Sequence, residues 1–375
     1  MKSTSPTLHR ALLPAALLGS FALGLIACDD VPPAPKPATS AAATAPTASA
    51  AAAAGKPLPP MPPAAPLPKT PLALPELKVP EDNPLTPEKV ALGKQLFFDK
   101  RLSKDGSASC ETCHLPEKGW TDAKALSTKV GGAVNTRHSP TLWNVGYNDL
   151  YYWDGRAATL DKQIEAAWKG QMGADPAEIA KKIDAIPGYQ VQFKTIFKGE
   201  ATPDTIVKAL ASFVRTLRSG GAPWDKYEAG DKAAVGEDAV RGFDLFRNKA
   251  GCAACNAPPL YTDNAFHNVG IGFDPDKKEP DLGRGKISNN EKENGAFKTP
   301  TLRSVETSGP YFHDGRAATV EEAVDYILSG GIKNPNLDPR VKPVKLSDKE
   351  KKDLLAFVKA LKAPDEPFER PKLPE

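Results

Sequence analysis

Ser109-Cys110-Glu111-Thr112-Cys113-His114 carries the pattern C-x-x-C-H. Two thiols at this spacing can each form a thioether to one vinyl group of a haem. The histidine that follows is then held beneath the iron as its axial ligand. A bare C-x-x-C also fits a redox pair or half of a zinc site. A second, altered copy of the segment, Gly251-Cys252-Ala253-Ala254-Cys255-Asn256, favours haem.

The duplication extends well beyond the cysteines. Pro140-Thr141-Leu142 recurs as Pro300-Thr301-Leu302, and Val145 as Val305. Asp154-Gly155-Arg156-Ala157-Ala158-Thr159 recurs as Asp314-Gly315-Arg316-Ala317-Ala318-Thr319, every pair 160 residues apart. The chain therefore holds two copies of one haem-binding module. The second copy has Asn256 where the first has His114. Three readings stay open: Cys252 and Cys255 carry no haem and form a dithiol or disulfide; they carry a haem ligated by another group; or the asparagine is a local change in an otherwise intact module.

Around these motifs the pattern is helical. Thr86 caps a helix that Pro87 opens, with Val90, Leu92, Leu96 and Phe97 on one face. Thr202 and Pro203 start a second over 203–217, in which Ile206, Leu210, Phe213, Val214 and Leu217 recur at helical spacing. A third runs from Glu237 to Arg247 into Cys252. A fourth covers Asp348 to Leu361, with Ser347 and Glu350 as a capping box. Residues between His114 and Arg137 read as loop. Alternating strand patterns are nearly absent, so the chain reads as all-α with long loops.

The remaining cysteine, Cys28, ends Leu25-Ile26-Ala27-Cys28 after a basic start and an apolar run. Residues 1–28 read as a lipoprotein signal peptide with Cys28 the lipidated residue, which predicts a periplasmic protein tethered to a membrane. Residues 29–80 are rich in proline and alanine and read as a disordered, semi-rigid stalk. The net charge of +3, from 49 basic and 46 acidic residues, gives no pull toward nucleic acid. Roughly 290 residues remain, enough for two ordinary domains.

The chain resembles the bacterial dihaem cytochrome c peroxidase family, which includes the MauG-type enzymes. The likeness covers roughly residues 85–362. It rests on Leu92-Gly93-Lys94, Phe98-Asp99, Trp153-Asp154-Gly155-Arg156-Ala157, Pro259-Leu260-Tyr261-Thr262-Asp263, Phe266-His267-Asn268-Val269-Gly270, Asp281-Leu282-Gly283-Arg284, Phe297-Lys298-Thr299-Pro300 and Tyr311-Phe312-His313-Asp314-Gly315. The resemblance implies two tandem cytochrome c-like haem domains, here 81–230 and 231–362, followed by a tail at 363–375. It implies a haem that reacts with hydrogen peroxide in the first domain. The second domain would receive electrons from a small cytochrome c or cupredoxin. The assembly left open is a homodimer.

By position, the resemblance makes Trp153 the aromatic bridge between haems and Gln163 a peroxide-pocket residue. Gln171, in Gln171-Met172-Gly173, stands where the family has its glutamate base. A glutamine cannot accept a proton near neutral pH. Glu165 and Glu178 are the candidate substitutes. His138 takes the place of a calcium-binding asparagine, with Ser308 and Pro310 as the other ligands; it is also a candidate distal ligand. Tyr326 is a candidate second-haem iron ligand, as are His267 and His313, which also match pocket or propionate-contacting positions. Two rival activities accompany peroxide reduction: MauG-like oxidation of a partner protein, and electron transfer by a single-haem carrier.

Overall fold

A computed structural model describes residues 58–375. Cys28, the signal segment and the stalk up to residue 57 lie outside the described residues. Helix α1 spans Pro87–Phe98 and begins as its sequence dictates: the Thr86 hydroxyl accepts the Lys89 N–H at 3.2 Å. Then come α2 (Leu160–Gly170), α3 (Pro176–Asp184), α4 (Pro187–Ile196) and α5 (Pro203–Arg215). The second half holds α6 (Pro223–Glu228), α7 (Glu237–Arg247), α8 (Arg284–Ser288), α9 (Val320–Leu328) and α10 (Asp348–Lys359). The only strands among the described residues are β1 (Phe266–His267) and β2 (Phe297–Lys298), paired antiparallel with Phe266 opposite Lys298. The protein is mostly helical.

The apolar faces assemble two separate cores. The first gathers Leu92, Leu96, Phe97, Trp168, Leu210 and Phe213. The second gathers Trp224, Phe246, Tyr261, Leu354, Phe357 and Leu361. Each is organised by one close helix crossing. A Cβ on Gly93 of α1 would lie 1.9 Å from the Ala209 carbonyl oxygen of α5. A Cβ on Gly242 of α7 would lie 1.9 Å from the Asp353 carbonyl oxygen of α10. Glycine is costly inside a helix, and at both crossings it lets two backbones touch.

The 160-residue repeat is visible in the backbone. Tyr151 bridges Ala157 and Tyr311 bridges Ala317, each just before a helix that Thr159 or Thr319 caps. The halves meet through backbone and buried polar contacts. The Lys298 N–H donates to the Trp153 carbonyl at 2.8 Å, and the His138 N–H to the His313 carbonyl at 2.6 Å. Arg137 places a two-pronged guanidinium on Asp281, at 2.7 and 2.8 Å.

The stalk expectation needs correction at its end. Residues 68–77 are docked on the first half rather than free. Leu74 is buried, Arg218 donates to the carbonyls of Pro68 and Lys69, and the Gly221 N–H donates to Leu72 at 3.1 Å. Extended proline-rich backbone leaves its carbonyls unpaired, and here side chains of the body take them. The tail also returns to the first half: Phe368 stacks on Phe98 at 5.4 Å, and Arg370 pairs with Glu111 and Glu117.

Candidate functional site

A cavity of about 770 Å³ runs between the halves and is lined by both cysteine pairs. In the first copy Cys110 opens a single 3₁₀ turn, fixed by the Ser109 N–H donating to the Thr112 hydroxyl at 3.0 Å. That turn delivers His114 to a tight loop in which Leu115 bridges Thr121. Trp120, held at φ 62°, aims its carbonyl at the imidazole, and His114 Nδ1 bonds it at 2.8 Å. A proton on Nδ1 leaves Nε2 free to ligate. Burial lowers the His114 pKa and so favours the neutral form. Burial also pushes the Cys110 thiol up to about 12 and Cys113 to about 11. These residues fit a covalently attached haem: two unpaired thiols on the cavity wall beside a neutral, oriented imidazole.

The second copy keeps the scaffold and loses the ligand. Cys252 opens the same turn, and Tyr261, at φ 52°, presents its carbonyl as Trp120 does. Thr141 and Thr301 brace the two loops identically, each hydroxyl donating at 2.6 Å to the carbonyl preceding the aromatic residue. Asn256 Nδ2 donates to the Tyr261 carbonyl at 3.1 Å. The asparagine thus reproduces the orienting bond of the histidine and offers no second nitrogen behind it. On the wall of this half stand Val324 and Ile327, which cannot ligate iron.

Tyr326 does not supply the missing ligand. Its side chain is outside the cavity wall, with its hydroxyl donating to the Val269 carbonyl at 2.9 Å and accepting the Ile332 N–H at 3.3 Å. On a helix, consecutive residues face different ways, so Ile327 takes the inward place. Glu165 and Glu178 are likewise corrected as substitute bases. Glu165 is paired with Lys162 and Lys169, and Glu178 with Lys182, all away from the cavity. Among the described lining residues Asp154 is the one carboxylate, and it is bound to Arg137 and Arg156.

Gln163 and Gln171 both reach the cavity from α2 and its C-terminal cap. Gln171 Oε1 accepts from Asn135 at 2.8 Å. Trp153 also lines the cavity. Its Nε1 donates to the His138 carbonyl at 2.9 Å, and its ring meets His313 edge-on at 6.5 Å. His313 is its repeat partner, buried and stacked on Phe297, with Nε2 lacking any hydrogen-bond partner. Burial lowers its pKa to about 4, so it is neutral.

His138, Ser308 and Pro310 all line the cavity. His138 gives Nδ1 to the Lys124 carbonyl at 2.7 Å and has only a nitrogen left to offer. Calcium selects hard oxygen ligands, so His138 fits it poorly.

One cluster was not legible in the sequence. Ligand atoms of Cys255, Asp263 and His267 all lie within 4.8 Å of one another. His267 Nε2 is 2.7 Å from Asp263, and Nδ1 is 2.9 Å from Asp338. Only the Asp263–His267 spacing across a short turn was available as a signal.

The family model described as di-haem cytochrome c peroxidase matches residues 87–233. The methylamine utilization protein MauG of Methylorubrum extorquens is 42% identical over 301 residues, covering 79% of this chain and 84% of that one. The cytochrome c551 peroxidase of Nitrosomonas europaea is 37% identical over 302 residues, covering 77% and 85%. This chain belongs to the di-haem cytochrome c peroxidase family. Among solved structures, a MauG-like protein associated with microbial copper homeostasis superposes with a TM-score of 0.72 at 31% identity, covering 78% of this chain and 95% of that one. Membership makes the protein an oxidoreductase that carries haem c. No helix among the described residues is long and apolar enough to cross a membrane.

Proposed function

We propose that this chain is a periplasmic peroxidase, anchored through lipid on Cys28, that reduces hydrogen peroxide to water with electrons from a small cytochrome c or cupredoxin. Residues 81–230 and 231–362 act as two cytochrome c-like modules, of which only the first holds a haem. The observation that carries the reading is the bond from His114 to the Trp120 carbonyl beside Cys110 and Cys113.

Bound there, the haem iron supplies the centre at which the peroxide O–O bond is reduced by two electrons, two protons completing two waters. The chain's own residues do the rest. His114 holds its proton on Nδ1 against Trp120 and keeps Nε2 free to ligate. Gln163 and Gln171 offer amides that orient peroxide without taking its proton. The apolar wall excludes water. Trp153 offers an aromatic path between the two halves. With no unpaired carboxylate on the wall, proton transfer within the peroxide lacks a carboxylate base, and turnover is slow.

A second reading, oxidation of an aromatic residue on a partner protein, is favoured by the 42% identity to MauG. It needs the same haem, and it separates from the first by turnover with a small redox donor.

Intact mass of the purified chain tests the haem count. One haem is expected, lost in His114→Gly or left without peroxide reactivity; Asn256→His should add a second at Cys252 and Cys255. Two haems in the unaltered chain would refute the single-haem reading. Cys28→Ser should abolish incorporation of labelled fatty acid, and a labelled variant would disprove the anchor.

A further inference from the structure

We propose that Cys255, Asp263 and His267 form a zinc site in the second half of the chain. The inference rests on the single-haem reading, because a thioether at Cys255 would consume the sulfur. A thiolate, an imidazole and a carboxylate are each zinc donors. Their ligand atoms lie within 4.8 Å of one another. Around a tetrahedral zinc such atoms stand roughly 3–4 Å apart, so the set lies about an ångström from closing.

The surroundings are those of a built site. His267 would ligate through Nε2, the nitrogen now 2.7 Å from Asp263 Oδ2. Its other nitrogen, Nδ1, is 2.9 Å from Asp338 Oδ2. A metal-bound imidazole carries its remaining proton on the far nitrogen and gives it to a carboxylate or carbonyl, which fixes the ring. Asp338 is itself held by Arg340, at 2.9 Å to Oδ1 and 2.7 Å to Oδ2. Arg340 Nη2 also comes within 2.7 Å of Nδ1, and with the proton on Nδ1 that contact yields to the bond with Asp338. Charge closes as well. The Cys255 thiolate and Asp263 carboxylate neutralise a dication, while Arg340 neutralises Asp338. Binding releases the thiol proton of Cys255 and any proton on Nε2.

The donor set also chooses the ion. Thiolate disfavours magnesium and calcium, and a carboxylate disfavours copper(I), which prefers sulfur throughout. Cys255 and His267 both line the cavity, so the fourth position opens toward it. There an exogenous ligand, water to begin with, completes the tetrahedron.

Besides a thioether, the Cys255 thiol has one competing fate, a disulfide with Cys252. The test therefore uses the full chain in two forms, unaltered and Cys252→Ser, freed of metal by a chelator in the presence of reductant. Cobalt(II) is titrated as the spectroscopic stand-in for zinc. Both forms should develop a thiolate-to-cobalt charge-transfer band, and one equivalent of zinc should remove it. Cys255→Ser should lose the band, and His267→Ala should bind at least tenfold more weakly. Asp338→Asn should weaken binding about tenfold through the ring it orients. Hydrogen exchange of α7 and α10 reports that the second half of each variant is folded. One haem with no cobalt band, or an unchanged band in His267→Ala, overturns the zinc site and leaves the single-haem reading standing. Two haems by intact mass overturn both together.

Discussion

His114 and Asn256 differ by one ring nitrogen in the place that matters. Each uses one nitrogen to hold an aromatic residue's carbonyl, at 2.8 Å for His114 and 3.1 Å for Asn256. Only the histidine has a second to give iron. That difference was legible in the sequence because thioether chemistry fixes the spacing of the motif. The tilt of side chains around the cavity was not legible. Tyr326 looked available by position, yet the helical turn that carries it presents Ile327 inward. The grouping of Cys255 with His267 and Asp338 was equally hidden, since residues 255 to 338 meet only after the second half has folded. Gln171 is the residue whose change should raise the rate. It sits on the cavity wall with an amide bound by Asn135. Gln171→Glu places an unpaired carboxylate among the lining residues, where the existing one, Asp154, is neutralised by two arginines. A positioned general base contributes about 10²-fold or more. Stopped-flow reaction with peroxide should therefore accelerate by about that factor and acquire a dependence on the new carboxyl's ionisation. An unchanged rate would remove Gln171 from the peroxide pocket.

At the scale of elements, caps and glycines decide where helices begin and how closely they cross. The starts of α1, α5 and α10 were readable because Thr86, Thr202 and Ser347 each accept an N–H three residues on. α5 stops at Arg215, short of the expected 217, because the Thr216 N–H turns back to Phe213 and Val214. α3 and α4 are not legible in the sequence although proline opens both, because each is short and carries a thin apolar stripe. The crossing glycines gave no periodic signal at all. They are glycine because a neighbouring backbone occupies the space of a Cβ. Gly242→Ala meets the Asp353 carbonyl at 1.9 Å, a contact that no side-chain rotation relieves. Overpacking of this kind costs about 1–3 kcal/mol, and the upper end applies against backbone. Alanine returns about 1 kcal/mol of helix preference. The net expectation is a loss of about 2 kcal/mol, confined to the second core. Hydrogen exchange should show it as faster opening of α7 and α10, with α1 and α5 unchanged. Gly170→Ala is the control, since nothing lies within 4 Å of its Cβ, and it should be neutral or stabilising. Equal exchange in Gly242→Ala would mean that the crossing has room for a methyl group.

Across the whole molecule, the chain ends by returning to where its chemistry begins. After α10 the last residues leave the second core and lie over the first haem motif. Phe368 stacks on Phe98 and meets Trp120 edge-on at 5.1 Å. The Pro374 carbonyl accepts from Arg101 at 2.9 Å, and the Gly188 N–H donates to Glu375 at 3.1 Å. Composition gave no hint of this, because the tail is short, charged and rich in proline, and its partners lie more than 180 residues away. Trp120 links the tail to the proposed iron ligand: its carbonyl fixes His114, and its ring is pinned by Phe368. Removing residues 366–375 should therefore act on the first half, not on the second half that precedes the tail in sequence. Phe368 is half-buried, so Phe368→Ala should cost about 1–3 kcal/mol, below the range for a full core phenylalanine. Arg370→Ala, which breaks exposed pairs with Glu111 and Glu117, should cost less than about 1 kcal/mol. That ordering separates a packing strap from an electrostatic one. Denaturant unfolding followed by the absorption of the first haem should show truncation and Phe368→Ala together at the large end and Arg370→Ala near the unaltered protein. The reverse order, or a truncated chain with an unchanged midpoint, would show that the tail rests on the first half without holding it.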